Sequence, residues 1–283
     1  MISTTAGVAV GAVLAALLWV ATQPTFATDA LARTNYRGAP LVTGAGVLVP
    51  VTMILVAGAS RLLILATDLN PTWDQLVGSS LGAAVGFSLL GLFDDVAGVG
   101  QSGGFRGHLR SLREGRLTSG MVKLVGGAAL GVAVSASLAR GDEGVLGALR
   151  DGAIIALAAN LANLLDRAPG RVIKASTAAF AVAALVARSP TLLGPGVGIG
   201  AGLGLLPADL KERCMLGDAG ANPLGALCGL AALAAGPEAG VRWLVLAVLL
   251  GLNLLSEFVS FSTLIDRTPP LRWIDRAGSR RDD

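Results

Sequence analysis

The sequence predicts an all-α protein, a polytopic transmembrane helical bundle of about nine spans. Hydrophobic residues make up 53% of the 283-residue chain and charged residues only 14%, whereas a soluble domain carries about 25% charged residues. Apolar stretches of about 20 residues, the length that crosses a bilayer, recur along the whole chain. The 39 glycines, together with abundant alanine, suit close approach of helices in lipid.

We predict spans over residues 4–22, 43–66, 76–93, 120–139, 147–165, 172–187, 191–207, 219–235 and 241–263. No positive charge precedes the first span, which is therefore predicted to be an uncleaved membrane helix and not a signal peptide. The predicted domain organisation is a single transmembrane domain over 1–263 with cytoplasmic loops, followed by a basic cytoplasmic tail over 264–283.

The distribution of Lys and Arg predicts the orientation. When the loops are assigned alternately to two sides, one side holds 17 of the 22 Lys and Arg residues and the other holds five. Because positively charged loops remain in the cytoplasm, the N-terminus is predicted to lie outside and the C-terminus inside.

Cysteine and histidine usage excludes several classes of site. Cys214 and Cys228 would lie roughly 20 Å apart on one helix, too far for a disulfide. His108 is the only histidine, so zinc clusters and mechanisms that need several histidines are excluded. His108 lies in a loop with an arginine cluster, Arg106–Arg116, for which a simple role is contact with anionic lipid.

Three short acidic and amide-rich stretches lie at the ends of predicted spans, and all three face the cytoplasm in this topology. Ionisable groups at a membrane boundary are costly without a partner and indicate a functional site. The candidate residues are Asp94, Asp95, Asn160, Asn163, Asp166 and Asp218.

Adjacent carboxylates with a third one elsewhere suit a hard divalent cation, and Mg²⁺ takes carboxylates, waters and substrate phosphates as ligands. We therefore predict a magnesium site formed by Asp94, Asp95 and Asp218. Lys123, in the first turn of the fourth span, would neutralise phosphate charge. Because phosphoryl transfer needs mainly positioning and charge neutralisation, these residues indicate phosphotransferase chemistry with one lipid substrate and one soluble substrate.

Each of these residues also has a purely structural interpretation. Lys123 could extend from its helix to the lipid headgroups. Asn160 and Asn163, three residues apart, share a helix face and could form hydrogen bonds between helices. Asp218 could cap the helix that follows it, and Asp94 and Asp95 could do no more than end a membrane helix.

The polar stretches resemble, in order, the motifs of the polyprenyl-phosphate N-acetylhexosamine-1-phosphate transferases, glycosyltransferase family 4. That family includes phospho-N-acetylmuramoyl-pentapeptide transferase and the undecaprenyl-phosphate N-acetylglucosamine-1-phosphate transferases. The resemblance covers most of the chain and is carried by five motifs on one predicted side, at residues 35–46, 91–95, 115–124, 160–166 and 215–225.

The resemblance implies a magnesium-dependent transfer of a sugar 1-phosphate from a UDP-sugar to a polyprenyl phosphate. The reaction would take place at the cytoplasmic face of the bacterial inner membrane, in cell-wall (peptidoglycan) or surface-polysaccharide synthesis. No nucleic-acid partner is implied, and a homodimer is compatible. The implied catalytic residues are Asp94, Asp95, Lys123 and Asp218, and the implied substrate-binding residues are Arg37, Asn160, Asn163 and Asp166.

The sequence departs from the family pattern in three places. Residues 166–170 read Asp-Arg-Ala-Pro-Gly instead of Asp-Gly-x-Asp-Gly, so Pro169 replaces an aspartate implicated in nucleobase recognition. The late histidine-rich motif and a tenth span are absent. These departures favour an alternative, a catalytically inactive relative that binds polyprenyl-phosphate lipid or a cell-envelope partner. A third possibility, a transporter, is opposed by the lack of internal repeats and of polar residues in mid-membrane.

Overall fold

The computed structural model describes residues 3–34, 38, 40–67, 75–97, 118–138, 144–187 and 192–279. The predicted substrate-binding residue Arg37 and the predicted lipid contact at 106–116, with His108, lie outside the described residues. Helices dominate the described part of the chain, which confirms the predicted helical class.

The described helices are α1 (Thr4–Phe26), α2 (Leu48–Thr67), α3 (Gln75–Ala97), α4 (Ser119–Leu138), α5 (Gly144–Leu165), α6 (Arg171–Val186), α7 (Leu193–Leu210), α8 (Asp218–Ala234), α9 (Ala239–Leu255), α10 (Phe261–Arg267) and α11 (Pro269–Arg276). Between α1 and α2 lie two short antiparallel strands, β1 (Ala32–Thr34) and β2 (Pro40–Val42), in which Ala32 pairs with Val42. Short 3-10 turns flank this hairpin at Asp29–Leu31 and Ala45–Val47.

Helices α1–α9 overlap the nine predicted spans in order. Six of these helical segments are long and apolar enough to cross a membrane, namely α1, α2 with its preceding turn, α3, α4, α5 and α7. Helices α6, α8 and α9 have 16, 17 and 17 residues. The described helices therefore fit a protein that spans a membrane, while the count of nine spans and the orientation of the termini stay predictions.

The predicted ninth span, 241–263, extends beyond the end of helix α9. Helix α9 ends at Leu255, and the amide of Ser256 bonds back to Leu252 while that of Glu257 bonds back to Leu254. The polar pair Ser256 and Glu257 interrupts the apolar run at this point. The described part of the predicted basic tail contains α11 and the end of α10.

Helix α8 lies at the centre of the bundle. Twelve of its residues are buried, from Ala219 to Ala231, and it packs against α3, α5, α6 and α7. Helix α9, by contrast, has no buried residue and packs on the outside against α5. A helix that is apolar on all sides and enclosed by others fixes the relative positions of its neighbours.

Glycines allow α1 and α7 to approach closely. A Cβ atom at Gly200 would collide with the backbone of Val8, and one at Gly204 would collide with the backbone of Ala12. These glycines are four residues apart and therefore lie on one face of α7. Small residues at this spacing let membrane helices pack backbone to backbone, which explains the long α1–α7 contact.

A buried ion pair holds α11 against α6. Arg171, the first residue of α6, donates from Nε to Asp275 Oδ1 (2.7 Å) and from Nη2 to Asp275 Oδ2 (2.9 Å). Its remaining nitrogen donates to Ser262 Oγ on α10 at 2.8 Å. Lys174, one turn further along α6, donates to three carbonyls at the end of α11, those of Ile274, Asp275 and Ala277. One turn of α6 thus holds α10 and α11, which we call the C-terminal helix pair.

Replacing Asp275 by Asn is expected to release the C-terminal helix pair, because it leaves the buried Arg171 guanidinium without its counter-charge. Breaking one side of a buried pair costs about 3–5 kcal/mol. Limited proteolysis in detergent should cut the variant within residues 256–279 well before it cuts the unaltered protein.

Asp266→Asn is the matched control. Asp266 pairs with Arg276 at 3.3 Å, but both side chains are exposed, and exposed pairs contribute about 0–1 kcal/mol. Equal rates of cleavage in the two variants would contradict the role assigned to the Arg171–Asp275 pair.

Candidate functional site

Four helix ends that are distant in the sequence meet at one end of the bundle. They are the C-terminal turns of α3 and α5 and the N-terminal turns of α4 and α8. The side chains that they bring together are Asp94, Asp95, Lys123, Asn163 and Asp218. Consecutive spans run in opposite directions, so α3 and α5 end where α4 and α8 begin.

The ammonium of Lys123 lies between two carboxylates. Its Nζ atom is 2.9 Å from Asp94 Oδ2 and also forms an ion pair with Asp218 Oδ2. The Asp94 carboxylate is further hydrogen-bonded to the side chain of Ser119. All three charged side chains are mostly buried, so Lys123 points into the bundle and does not extend to the lipid headgroups.

Asn163 adds an amide to the same cluster. In the amide orientation that gives both neighbours a hydrogen bond, the nitrogen donates to Asp218 Oδ1 at 2.5 Å and the oxygen accepts from the Lys123 ammonium at 2.7 Å. Lys123 is therefore surrounded by oxygens from three helices, α3, α5 and α8. We call these four residues, Asp94, Lys123, Asn163 and Asp218, the lysine cluster.

Asp95 has a different role from its neighbour Asp94. Its carboxylate accepts hydrogen bonds from the backbone N–H groups of Asp218 (3.2 Å) and Ala219 (3.1 Å), at the start of α8. A helix N-terminus has unsatisfied N–H groups and a partial positive charge, so a carboxylate is stabilising there. Asp95 thus caps α8 from a neighbouring helix.

Gly217 makes this contact possible. It has a φ angle of 67°, in the left-handed region that favours glycine. A Cβ atom at this position would also lie 2.6 Å from Asp95 Oδ2. The Gly-Asp pair therefore has a structural explanation: Gly217 leaves room for the Asp95 carboxylate, and Asp218 then points towards Lys123 instead of capping its own helix.

The two asparagines of the fifth span separate in the structure. The amide of Asn160 donates to Asn253 Oδ1 on α9 at 2.7 Å, and Asn253 donates to the carbonyls of Leu157 (3.1 Å) and Leu249 (2.8 Å). This arrangement matches the structural interpretation of Asn160, a hydrogen bond between helices. Only Asn163 joins the lysine cluster.

Asp166 lies immediately after α5, near a second buried carboxylate, Asp209. Burial, and then the negative charges of Asp209 and Asp218, raise the pKa of Asp166 well above its usual value. Asp209 Oδ2 accepts a hydrogen bond from the Gly170 N–H at 2.6 Å, which holds the loop at residues 166–170. The loop that carries the departure at Pro169 is therefore held to the end of α7 through Asp209.

Sequence reasoning missed three contributors to this end of the bundle. Asp209 lies two residues beyond the predicted end of the seventh span and belongs to none of the five motifs. Arg33 in β1 donates to the backbone carbonyl of Asp95, and Ser88 donates to the carbonyl of Ala219 at 2.8 Å. The position of Arg33, in the loop with the first family-like motif, is the one signal that pointed towards the site.

The described residues contain no group of three or more His, Cys, Asp or Glu side chains arranged to hold a metal ion. The lysine cluster nevertheless presents two carboxylates and one amide oxygen to a single cation, the Lys123 ammonium. Oxygen donors of this kind, completed by water and phosphate oxygens, suit Mg²⁺. Asp94 and Asp218 therefore fit the predicted ligand set, whereas both oxygens of Asp95 are engaged by backbone amides.

The fold is a helical bundle with several helices able to span a membrane, and a carboxylate–ammonium–amide cluster lies at one end of it. No known family model matches the chain, and no curated protein matches it significantly. The family resemblance therefore rests on the order and spacing of the motifs.

Gly91→Ala tests the approach of α3 to α8. A Cβ atom at Gly91 would lie 2.7 Å from the amide nitrogen of Ala219 and closer still to the carbonyl of Asp218. Overpacking of this kind costs about 1–3 kcal/mol, so we expect a lower melting temperature in detergent.

Gly82→Ala, in the same helix but with open space around the new Cβ, should melt at the same temperature as the unaltered protein or slightly above it. Equal shifts for both variants would contradict the close approach.

Lys123→Met tests whether the lysine cluster can hold a divalent cation. The change leaves the Asp94 and Asp218 carboxylates facing each other, so the melting temperature should fall. Added Mg²⁺ should restore more stability to this variant than to the unaltered protein, because the ion can take the place of the ammonium. Arg242→Met removes an ion pair to Asp151 (2.7 Å), 12 residues before Asn163 on α5; this variant should be destabilised, and Mg²⁺ should not restore its stability. If Mg²⁺ raised the melting temperature of both variants by the same amount, the cluster would not be a cation site.

Proposed function

We propose that the protein is a membrane phosphotransferase that moves a sugar 1-phosphate from a UDP-sugar to a polyprenyl phosphate and releases UMP. The observation that carries the proposal is the convergence of Asp94, Lys123, Asn163 and Asp218 from four helices on one point. Buried charges that are gathered in this way at a membrane boundary favour a functional site over a structural one.

The residues divide into two roles. Lys123 can exchange its carboxylate partners for a phosphate oxygen without leaving the cluster, and would then neutralise charge on a substrate. Asp94, Asp218 and Asn163 would hold Mg²⁺, which would supply further charge neutralisation for the phosphates. Asp95 positions α8, and with it Asp218, through its bonds to the backbone amides.

The proposed reaction joins two phosphates. An oxygen of the lipid phosphate attacks the phosphorus that bears the sugar, and the bond from that phosphorus to the bridging oxygen breaks. UMP leaves with the bonding electron pair, and the product is a polyprenyl diphosphate sugar. Asp94 acts by one of two routes. In the first, it removes a proton from the lipid phosphate before that attack. In the second, its carboxylate attacks the same phosphorus first, UMP leaves with the bonding electron pair, and an oxygen of the lipid phosphate then displaces the carboxylate.

The loop at residues 166–170 is the proposed donor side of the site. The negative charge of Asp218 contributes to the raised pKa of Asp166, and Asp209 holds the backbone of the loop at Gly170. Pro169 has no side-chain hydrogen-bonding group, so recognition of the nucleobase falls to other residues of this end of the bundle. We place the reaction at the cytoplasmic face of a bacterial inner membrane, in cell-wall or surface-polysaccharide synthesis.

A second function is favoured by one specific observation. The Lys123 ammonium already neutralises both Asp94 and Asp218, so the cluster is electrostatically satisfied without a metal ion. Together with Pro169 and the absent histidine motif, this supports the alternative, a catalytically inactive relative that binds a polyprenyl phosphate or a cell-envelope partner.

The deciding experiment measures UMP release by purified protein in detergent. The mixture contains Mg²⁺, undecaprenyl phosphate and a panel of UDP-N-acetylhexosamines, and a known family transferase serves as positive control. We expect turnover that falls by about a hundredfold or more in Asp218→Asn, in line with the loss of one electrostatic contact to the reacting groups. Asp266→Asn, a surface change, should retain full turnover.

The absence of turnover with every donor, while the positive control works, would overturn the transferase proposal. Binding of undecaprenyl phosphate by the same preparation would then establish the lipid-binding alternative. If turnover occurs but survives Asp218→Asn, the site assignment is wrong even though the activity is right.

A further inference from the structure

The last helix, α11, buries the carboxylate of Asp275 and exposes its large apolar side chains. Asp275 is 5% exposed, while Leu271, Trp273 and Ile274 are 46%, 76% and 52% exposed. A helix on a water-facing surface shows the reverse arrangement. The outward side of α11 is therefore built to meet an apolar environment.

The exposed apolar residues share one side of the helix. At 100° per residue, Leu271, Ile274 and Trp273 fall on one arc together with Pro270, and the charged residues fall on the opposite arc. Arg272, on the charged arc, and Arg267, at the end of α10, are exposed. Apolar and cationic groups thus lie next to each other along the helix pair.

The apolar surface of α11 continues that of the preceding membrane helix. Helix α9 has no buried residue, and Leu254, close to its end, is 56% exposed. Phe258, in the turn that follows, is 80% exposed. The exposed apolar side chains therefore run along the chain from the end of α9 through the turn and into α11.

We propose that the C-terminal helix pair is an interfacial element that binds the lipid surface at the edge of the bilayer. Trp273, Leu271 and Ile274 enter the boundary between headgroups and acyl chains, and Arg267 and Arg272 contact the lipid phosphates. Amphipathic helices bury their apolar side about 5–10 Å deep at this boundary. Tryptophan is enriched at the same depth because its ring is apolar and its N–H is polar.

The buried ion pair gives this surface a fixed position. Arg171 and Lys174 bind α11 from its polar side, so the helix cannot rotate to hide Trp273 against the protein. Arg171 also directly follows Gly170, whose N–H is held by Asp209. The helix pair therefore connects the membrane surface to the loop at residues 166–170 through one continuous piece of α6.

Fluorescence quenching tests the proposal directly. The chain contains four tryptophans, and the test variant retains Trp273 while the other three are replaced by Phe. It is reconstituted into nanodiscs whose lipids carry bromine either near the headgroup or near the end of the acyl chain. We expect Trp273 to be quenched by lipid, and more strongly by the shallow bromines than by the deep ones.

Two single-tryptophan controls come from the same chain. Trp243 on α9 is 44% exposed and should be quenched by lipid, whereas Trp19 is 6% exposed and should not be. If the triple replacement does not fold, the difference in quenching between the unaltered protein and Trp273→Phe gives the same measurement.

Two outcomes would overturn the proposal. Quenching of Trp273 by aqueous iodide and not by brominated lipid would place α11 in water. Protection from both quenchers would show that protein, such as a second copy of this chain, covers the helix.

Discussion

The arrangement of helices at one end of this protein depends on a single buried ammonium. Lys123 lies between carboxylates from α3 and α8 and donates a hydrogen bond to an amide oxygen from α5, its third neighbour. Without it, two negative charges would face each other in a poorly solvated place, where like charges about 4 Å apart repel by roughly 4 kcal/mol at an effective dielectric constant of 20. The same ammonium that permits this arrangement is the group best placed to meet a phosphate.

Helix α8 links the position of the Lys123 ammonium to the packing of the rest of the bundle. Its first turn is fixed from two directions, by Asp95 on its backbone amides and by Lys123 on the Asp218 side chain. Its remaining length is buried among four other helices. A small displacement of α8 would therefore move Asp218 relative to Asp94, so packing in the core and geometry in the site are linked.

The sequence predicted the members of the lysine cluster better than the contacts that each of them makes. Carboxylates and a lysine at the ends of apolar segments are rare enough to be found by inspection, which is why Asp94, Lys123 and Asp218 were identified. The division between Asp94 and Asp95 could not be predicted, because it depends on how α3 is rotated against α8. The same holds for Asn160 and Asn163, which share a helix face but meet different neighbours.

The C-terminal region shows a second limit of prediction. Phe258 and Val259 continue the apolar run of α9, so hydropathy alone extends the span past the turn that the structure places after Leu255. The position of α11 depends on the Arg171–Asp275 pair, whose partners are separated by 104 residues. A contact of this kind leaves no local pattern in the sequence.

The most direct test of this account is a double-mutant cycle between Lys123 and Asp218. Unfolding free energies are measured in detergent for the unaltered protein, Lys123→Met, Asp218→Asn and the double variant. Residues in direct contact give coupling energies of about 0.5–3 kcal/mol. We expect a coupling within that range, with the double variant less destabilised than the sum of the two single changes. Strict additivity would mean that Lys123 and Asp218 do not interact, and would contradict the cluster on which the proposed site depends.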